Sequence, residues 1–157
     1  MRYRCAVNLR LVLASAALSV LTIVMSAQSS SMTIVLTGQS MLRSDLRATR
    51  PAAIPALKAL LTGDVVFTNL EAAIALPGQT IQEGRGFLTP PEALDVLTGL
   101  GVNLLALSGN HAYDLKEAGI ENTIREADRR KIVHAGTGRT LTDASAPAYL
   151  KTPNGTV

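Results

Sequence analysis

This 157-residue sequence predicts an α/β fold with a mostly parallel sheet. Three observations predict it. Short apolar runs rich in β-branched residues alternate with stretches of helical character. The helical stretches are long enough to carry the chain back for a parallel strand. Polar residues cluster directly after three successive strands, as they do where such sheets bind ligands. The length allows one domain, and an apolar content of 47% is too high for a disordered chain.

The N-terminus comes first. Arg2, Arg4 and Arg10 are three of the 15 basic residues, and the 12 that remain match the 12 acidic ones. The net charge of +3 therefore belongs to this end, and charge gives no argument for an anionic partner of the rest. Leu11 to Met25 (LVLASAALSVLTIVM) is uncharged and predominantly apolar, and small polar residues follow it. This is the order of a secretory signal, assigned here to residues 1–27, with an uncleaved N-terminal anchor as the alternative. Fifteen helical residues span about 22 Å, short of a ~30 Å hydrocarbon core. Either reading exports the remainder to the periplasm, cell envelope or exterior, with membrane contact only through the N-terminal segment. Cys5, the one cysteine, lies in the same segment, which excludes a disulfide scaffold and a Cys-based zinc site.

Met32 to Leu36 (MTIVL) reads as a first buried strand, ended by Thr37-Gly38. Ala52 to Leu61 reads as a helix, with Pro51 and Pro55 placing its start nearer Ile54. Val65 to Thr68 is a second strand, and residues 76–88 are a Gly-rich loop or small hairpin. Thr89 is expected to cap the next helix, with Glu92 at the capping-box position. Val102 to Leu107 is a third strand. Asp114 is expected to cap a helix reaching Arg130, with Glu121–Arg125 and Glu126–Arg130 pairs along it. Lys131 to His134 starts a fourth strand, turned by Gly136-Thr137-Gly138, and Ala148 to Lys151 suggests a fifth.

Parallel strands place their carboxyl ends along one edge, so Gln39, Asn69, Glu71, Asn110 and His111 are expected to converge. Glu71 is a hard oxygen ligand, and Asn110 offers an amide oxygen. His111 can ligate or give a proton to a leaving oxygen. Asp114 can hold the His111 ring in one orientation and tautomer. The plainer reading gives Asn69 and Asn110 turn hydrogen bonds and Asp114 a cap. His134 reads as structural.

Thr62 to Ile74 (TGDVVFTNLEAAI) and Asn103 to Gly138 carry a resemblance. Asn69-Leu70-Glu71, then Gly109-Asn110-His111-Ala112-Tyr113-Asp114, then Gly136-Thr137-Gly138 resemble, in order and spacing, the motifs of the bacterial CapA family. These are capsule and poly-gamma-glutamate synthesis proteins. The likeness runs from about Thr33 to Pro147. It implies a calcineurin-like metallophosphoesterase-type sandwich (α/β/β/α), with residues 32–157 forming its first half and a domain incomplete at the C-terminus. It also implies a divalent metal (Mn, Zn or Mg) on Asn110 and Glu71, with His111 as the acid. Two features depart from the family pattern. Gly38-Gln39 stands where Gly-Asp is usual, and the chain has only two histidines.

Two functions follow from the resemblance. One is an exported protein of capsule or poly-gamma-glutamate synthesis, acting by metal-assisted hydrolysis or transfer. The other is a non-catalytic binding or assembly factor of the same fold. An unrelated binding domain would instead leave Gln39, Glu71 and His111 far apart. The expected partner is an anionic surface polymer or its synthesis machinery, met by Arg43, Arg47 and Arg50. Arg129, Arg130 and Lys131 suit a helix end. No nucleic-acid partner is expected for an exported chain with no aromatic platform.

Overall fold

The computed structural model describes residues 31–157. The export-signal assignment to residues 1–27 lies outside the described residues. Among the described residues no helix is long and apolar enough to cross a membrane.

The chain runs β1 (Ile34–Ser40), α1 (Leu46–Thr49), a 3-10 turn (Pro51–Ala53), α2 (Ile54–Leu60), β2 (Val65–Leu70), β3 (Ala73–Ile74) and β4 (Leu88–Thr89). It continues with α3 (Glu92–Gly99), β5 (Leu104–Ala106), a 3-10 turn (Asn110–Tyr113), α4 (Lys116–Arg129), β6 (Val133–Ala135), α5 (Leu141–Ser145), β7 (Lys151–Thr152) and β8 (Gly155–Thr156). Strands β1, β2, β5 and β6 form a four-stranded sheet in that order, every pair parallel. The α/β class and the parallel sheet are as the sequence predicts.

The core lies on one face of this sheet. Val66 and Leu105 pack there with Leu94 and Leu97 of α3, and Val35 and Ile124 of α4 close its margin. The opposite face carries a register row of Leu36, Phe67, Leu104 and Val133. Leu36 is 74% exposed at the sheet edge, while the other three are half-buried. This row is apolar, and its edge is open to solvent at Leu36.

Several local expectations are corrected. The first two strands run further than predicted and include Gln39 and Asn69. Thr89 does not cap α3: it is buried in β4, and its hydroxyl donates to the Leu42 carbonyl at 2.8 Å. The capping-box spacing is satisfied, but strand pairing of Leu88 and Thr89 with Ala73 and Ile74 outweighs it. Residues 76–88 do not form a hairpin, because the strands at their ends, β3 and β4, pair in parallel. Asp114 is not a cap, since its carboxylate turns back to His111 and Phe87. Glu126 pairs with Arg130 as expected, but Arg125 donates to Asn122 and Glu121 pairs with Arg139. The fifth strand joins no main sheet: β7 and β8 make a separate antiparallel hairpin about Pro153-Asn154.

One irregularity positions the site. The register of β1 against β2 shifts between Leu36 and Gln39, so three steps along β1 match two along β2. This is a β-bulge. Strict alternation would put Gln39 on the face opposite Leu36. The bulge instead brings Gln39 into register with Asn69, and both amides reach the same carboxylate.

Candidate functional site

That carboxylate belongs to Glu71, only 4% exposed, immediately after β2. Its Oε2 accepts from Asn69 Nδ2 at 2.8 Å and from Gln39 Nε2 at 3.3 Å. Its Oε1 accepts from the backbone N–H of His111 at 3.1 Å. The His111 N–H holds the Glu71 carboxyl below its ordinary range; burial opposes this, and the Asn69 and Gln39 amides add to it. Glu71 is thus an ionised, buried group tying together the carboxyl ends of β1 and β2 and the turn after β5. Gly109 is the reason it fits: a Cβ at that position would collide with both Glu71 carboxylate oxygens.

The second half of the site is a His–Asp pair. His111 Nδ1 lies 2.7 Å from Asp114 Oδ2, which also accepts from the Phe87 backbone N–H at 2.5 Å. With Nδ1 held by the carboxylate, Nε2 is the ring atom left to meet a ligand. The Phe87 ring lies 6.2 Å from the His111 ring, and the Arg43 guanidinium stacks on it at 4.0 Å. No ion pair among the described residues includes Arg43. Asp114 also lines an open cleft of about 690 Å3, together with Gln79, Gln82, Arg85, Tyr113 and Lys116. Neither Glu71 nor the His111 ring lines that cleft. Asp114→Asn should cost about 1–3 kcal/mol, because a neutral amide oxygen in place of the carboxylate weakens both the Phe87 and the His111 bonds. Urea unfolding measures this, and a loss below a few tenths of a kcal/mol would remove Asp114 from the anchoring role.

Gln39, Asn69, Glu71 and the His111 backbone therefore meet, and Arg43 joins them through Phe87. Two expected members stand apart. Asn110 is exposed at the start of its 3-10 turn. Arg47 pairs with Asp45 at 2.7 Å, so Arg43, Arg47 and Arg50 do not form one free basic patch. His134 bonds Asp128 at the end of α4, in keeping with a structural part. Sequence reasoning missed Phe87, whose neighbours in space are distant in the chain. It also missed the steric role of Gly109, for which a glycine between Ser108 and Asn110 was the only signal.

The divalent ion implied by the resemblance can be tested on the donor set. Both Glu71 oxygens are already taken by N–H donors. Among the described residues no group of three or more His, Cys, Asp or Glu stands where it could hold an ion. Asn69 Oδ1 is buried without a partner, a single neutral oxygen. These residues do not by themselves fit a divalent-metal centre.

Two proteins of Sinorhizobium fredii (strain NBRC 101917 / NGR234), the uncharacterized proteins y4sH and y4uA, are each 33% identical over 104 residues, which is 62% of this chain. The aligned part is 23% of each relative, so the chain spans only about a quarter of the length of the curated relatives it matches. Residues 33–157 match the family of bacterial capsule synthesis proteins, PGA_cap. The match takes in every described strand and helix, and by it the chain belongs to this family, the CapA family of capsule synthesis.

Proposed function

We propose that the protein acts outside the cytoplasm in the synthesis or export of an anionic capsule polymer, with poly-gamma-glutamate as the polymer class. In this reading it binds the polymer or assembles its synthesis machinery rather than hydrolysing it with a metal. One observation carries the reading: the unpaired Arg43 guanidinium and the Asp114-anchored His111 ring flank Phe87, beside the carboxyl ends of the sheet strands. An always-charged guanidinium stacked on an apolar ring suits a carboxylate-bearing chain, since it pairs well with carboxylates. The exported location is supported by the basic, then apolar, then small-residue order of the N-terminus.

The test is titration of the full chain with labelled poly-gamma-glutamate, followed by fluorescence anisotropy. Arg43→Ala should weaken binding at least about tenfold, the size of one charge-assisted hydrogen bond of ~1.5 kcal/mol. Binding that the substitution leaves unchanged, or none at all at low salt, would reject the reading.

A second reading retains chemistry, and the His111–Asp114 pair favours it. A ring whose Nδ1 is held by a carboxylate can take or give a proton at Nε2. His111 would then act as general acid at a bound ester oxygen, the part the resemblance gives it. Hydrolysis of a chromogenic phosphoester, lost in His111→Ala, would favour this reading over binding alone.

A further inference from the structure

We infer that Gln39 makes the Glu71 pocket a cation-free site, and that the residue at position 39 decides whether the pocket takes a divalent ion. The bulge in β1 sets Gln39 level with Asn69, and the two side-chain amides place N–H groups on the same oxygen, Glu71 Oε2. The other oxygen is occupied by the His111 N–H. N–H dipoles thus stand where a cation would approach. Turning the Gln39 amide to offer its oxygen gives up its hydrogen bond to Glu71 and supplies an ion with only a neutral donor. Glu71 cannot swing aside cheaply, because it is packed against Gly109. An entering ion would have to break both amide hydrogen bonds on Oε2 and would gain one carboxylate and, at most, neutral amide oxygens.

A carboxylate at position 39 reverses each of these points. Two adjacent acids repel and lose stability unless a cation lies between them. A pair of carboxylate oxygens is the donor set hard divalent ions take. Asn69, whose Oδ1 is buried and unpartnered, can turn that oxygen in as a third donor. Gln39 therefore substitutes an internal hydrogen bond for a bound ion, and the site's geometry is fixed without one.

The experiment is a titration of the full chain with MnCl2, read by thermal unfolding and by the electron paramagnetic resonance of free Mn2+. No polymer is present, so the result stands apart from the polymer reading, which either outcome leaves to its own assay. The wild type should show the same Tm within about 1 °C in chelator and in millimolar Mn2+. Gln39→Glu should lose several degrees in chelator and regain them with Mn2+, binding it at least tenfold more tightly than the wild type. If Gln39→Glu does not fold in chelator, Gln39→Asp holds the second acid farther off and takes the same titration. The inference is overturned if wild-type protein gains Mn2+-dependent stability that Glu71→Gln abolishes. It is equally overturned if neither acidic variant responds to Mn2+.

Discussion

Arg130→Ala is expected to lower folding stability by about 3–5 kcal/mol at neutral pH, the usual result of removing one partner from a buried charge cluster. The Arg130 side chain is only 7% exposed and reaches two elements at once. Its Nε donates to Asp95 of α3 at 2.5 Å, and its Nη1 donates to the Glu126 carboxylate at 2.6 Å and to the Glu126 carbonyl at 3.1 Å. Alanine would leave Glu126, with a side chain only 11% exposed, with Arg129 alone. It would also remove the buried apolar stem of the Arg130 side chain.

The pH dependence of this effect has a definite sign. Hydrogen bonding from Arg130 holds the Asp95 carboxyl below its ordinary range, against the effect of burial. Burial pushes Glu126 up, but the Arg130 and Arg129 bonds outweigh it and the net displacement is downward. A carboxyl held low in the folded state contributes fully above its unfolded value, near 4, and loses that contribution as pH falls through the folded value. The gap between wild type and Arg130→Ala should therefore be widest at pH 7 and narrow steadily below about pH 4. Urea unfolding at a series of pH values measures it. A gap below 1 kcal/mol, or one constant from pH 7 to pH 3, would contradict the buried-network account.

Legibility in the sequence divides along the range of the interactions involved. The strand–helix alternation, the parallel sheet and the start of α2 near Ile54 rest on local pattern and proline geometry, and they were readable. The convergence of Gln39, Asn69 and Glu71 was readable too, because parallel strands bring their carboxyl ends to one edge whatever their spacing in the chain. The bulge was not. Thr37-Gly38 reads as a strand end, whereas β1 continues through it and its side-chain alternation slips by one residue. That slip turns Gln39 from a residue beyond the strand into a donor on Glu71. Thr89 and Asp114 show the opposite failure. Both have the residue type and spacing of helix caps, yet each uses its side chain on a distant backbone group, the Leu42 carbonyl for one and the Phe87 N–H for the other. A cap is a local option worth about 1 kcal/mol, and a buried backbone group left without a partner costs as much or more. Phe87 sits within a Gly-rich loop with no periodicity to mark it, so only the folded chain brings it between Arg43 and His111.

Gly109→Ala is expected to cost about 2–4 kcal/mol, although the backbone at this position is ordinary extended chain, φ −129° and ψ 165°, which any residue adopts. The cost is wholly steric. The added methyl would occupy the place of the Glu71 carboxylate, a group only 4% exposed. Either the turn after β5 shifts, and the His111 N–H leaves Glu71, or the carboxylate moves and abandons Gln39 and Asn69. Both routes take hydrogen bonds away from a buried carboxylate. A double-mutant cycle separates this from a general intolerance of the turn. Glu71→Ala is itself destabilising, since three donors lose their acceptor. In that background the methyl enters vacated space, so Gly109→Ala should then cost less than about 1 kcal/mol, a coupling of at least ~1 kcal/mol between contacting residues. Additive losses within about 0.3 kcal/mol would show that the glycine serves the turn alone. A large coupling would establish that Gly109 and Glu71 form one device, which holds the His111 backbone against the carboxyl ends of β1 and β2.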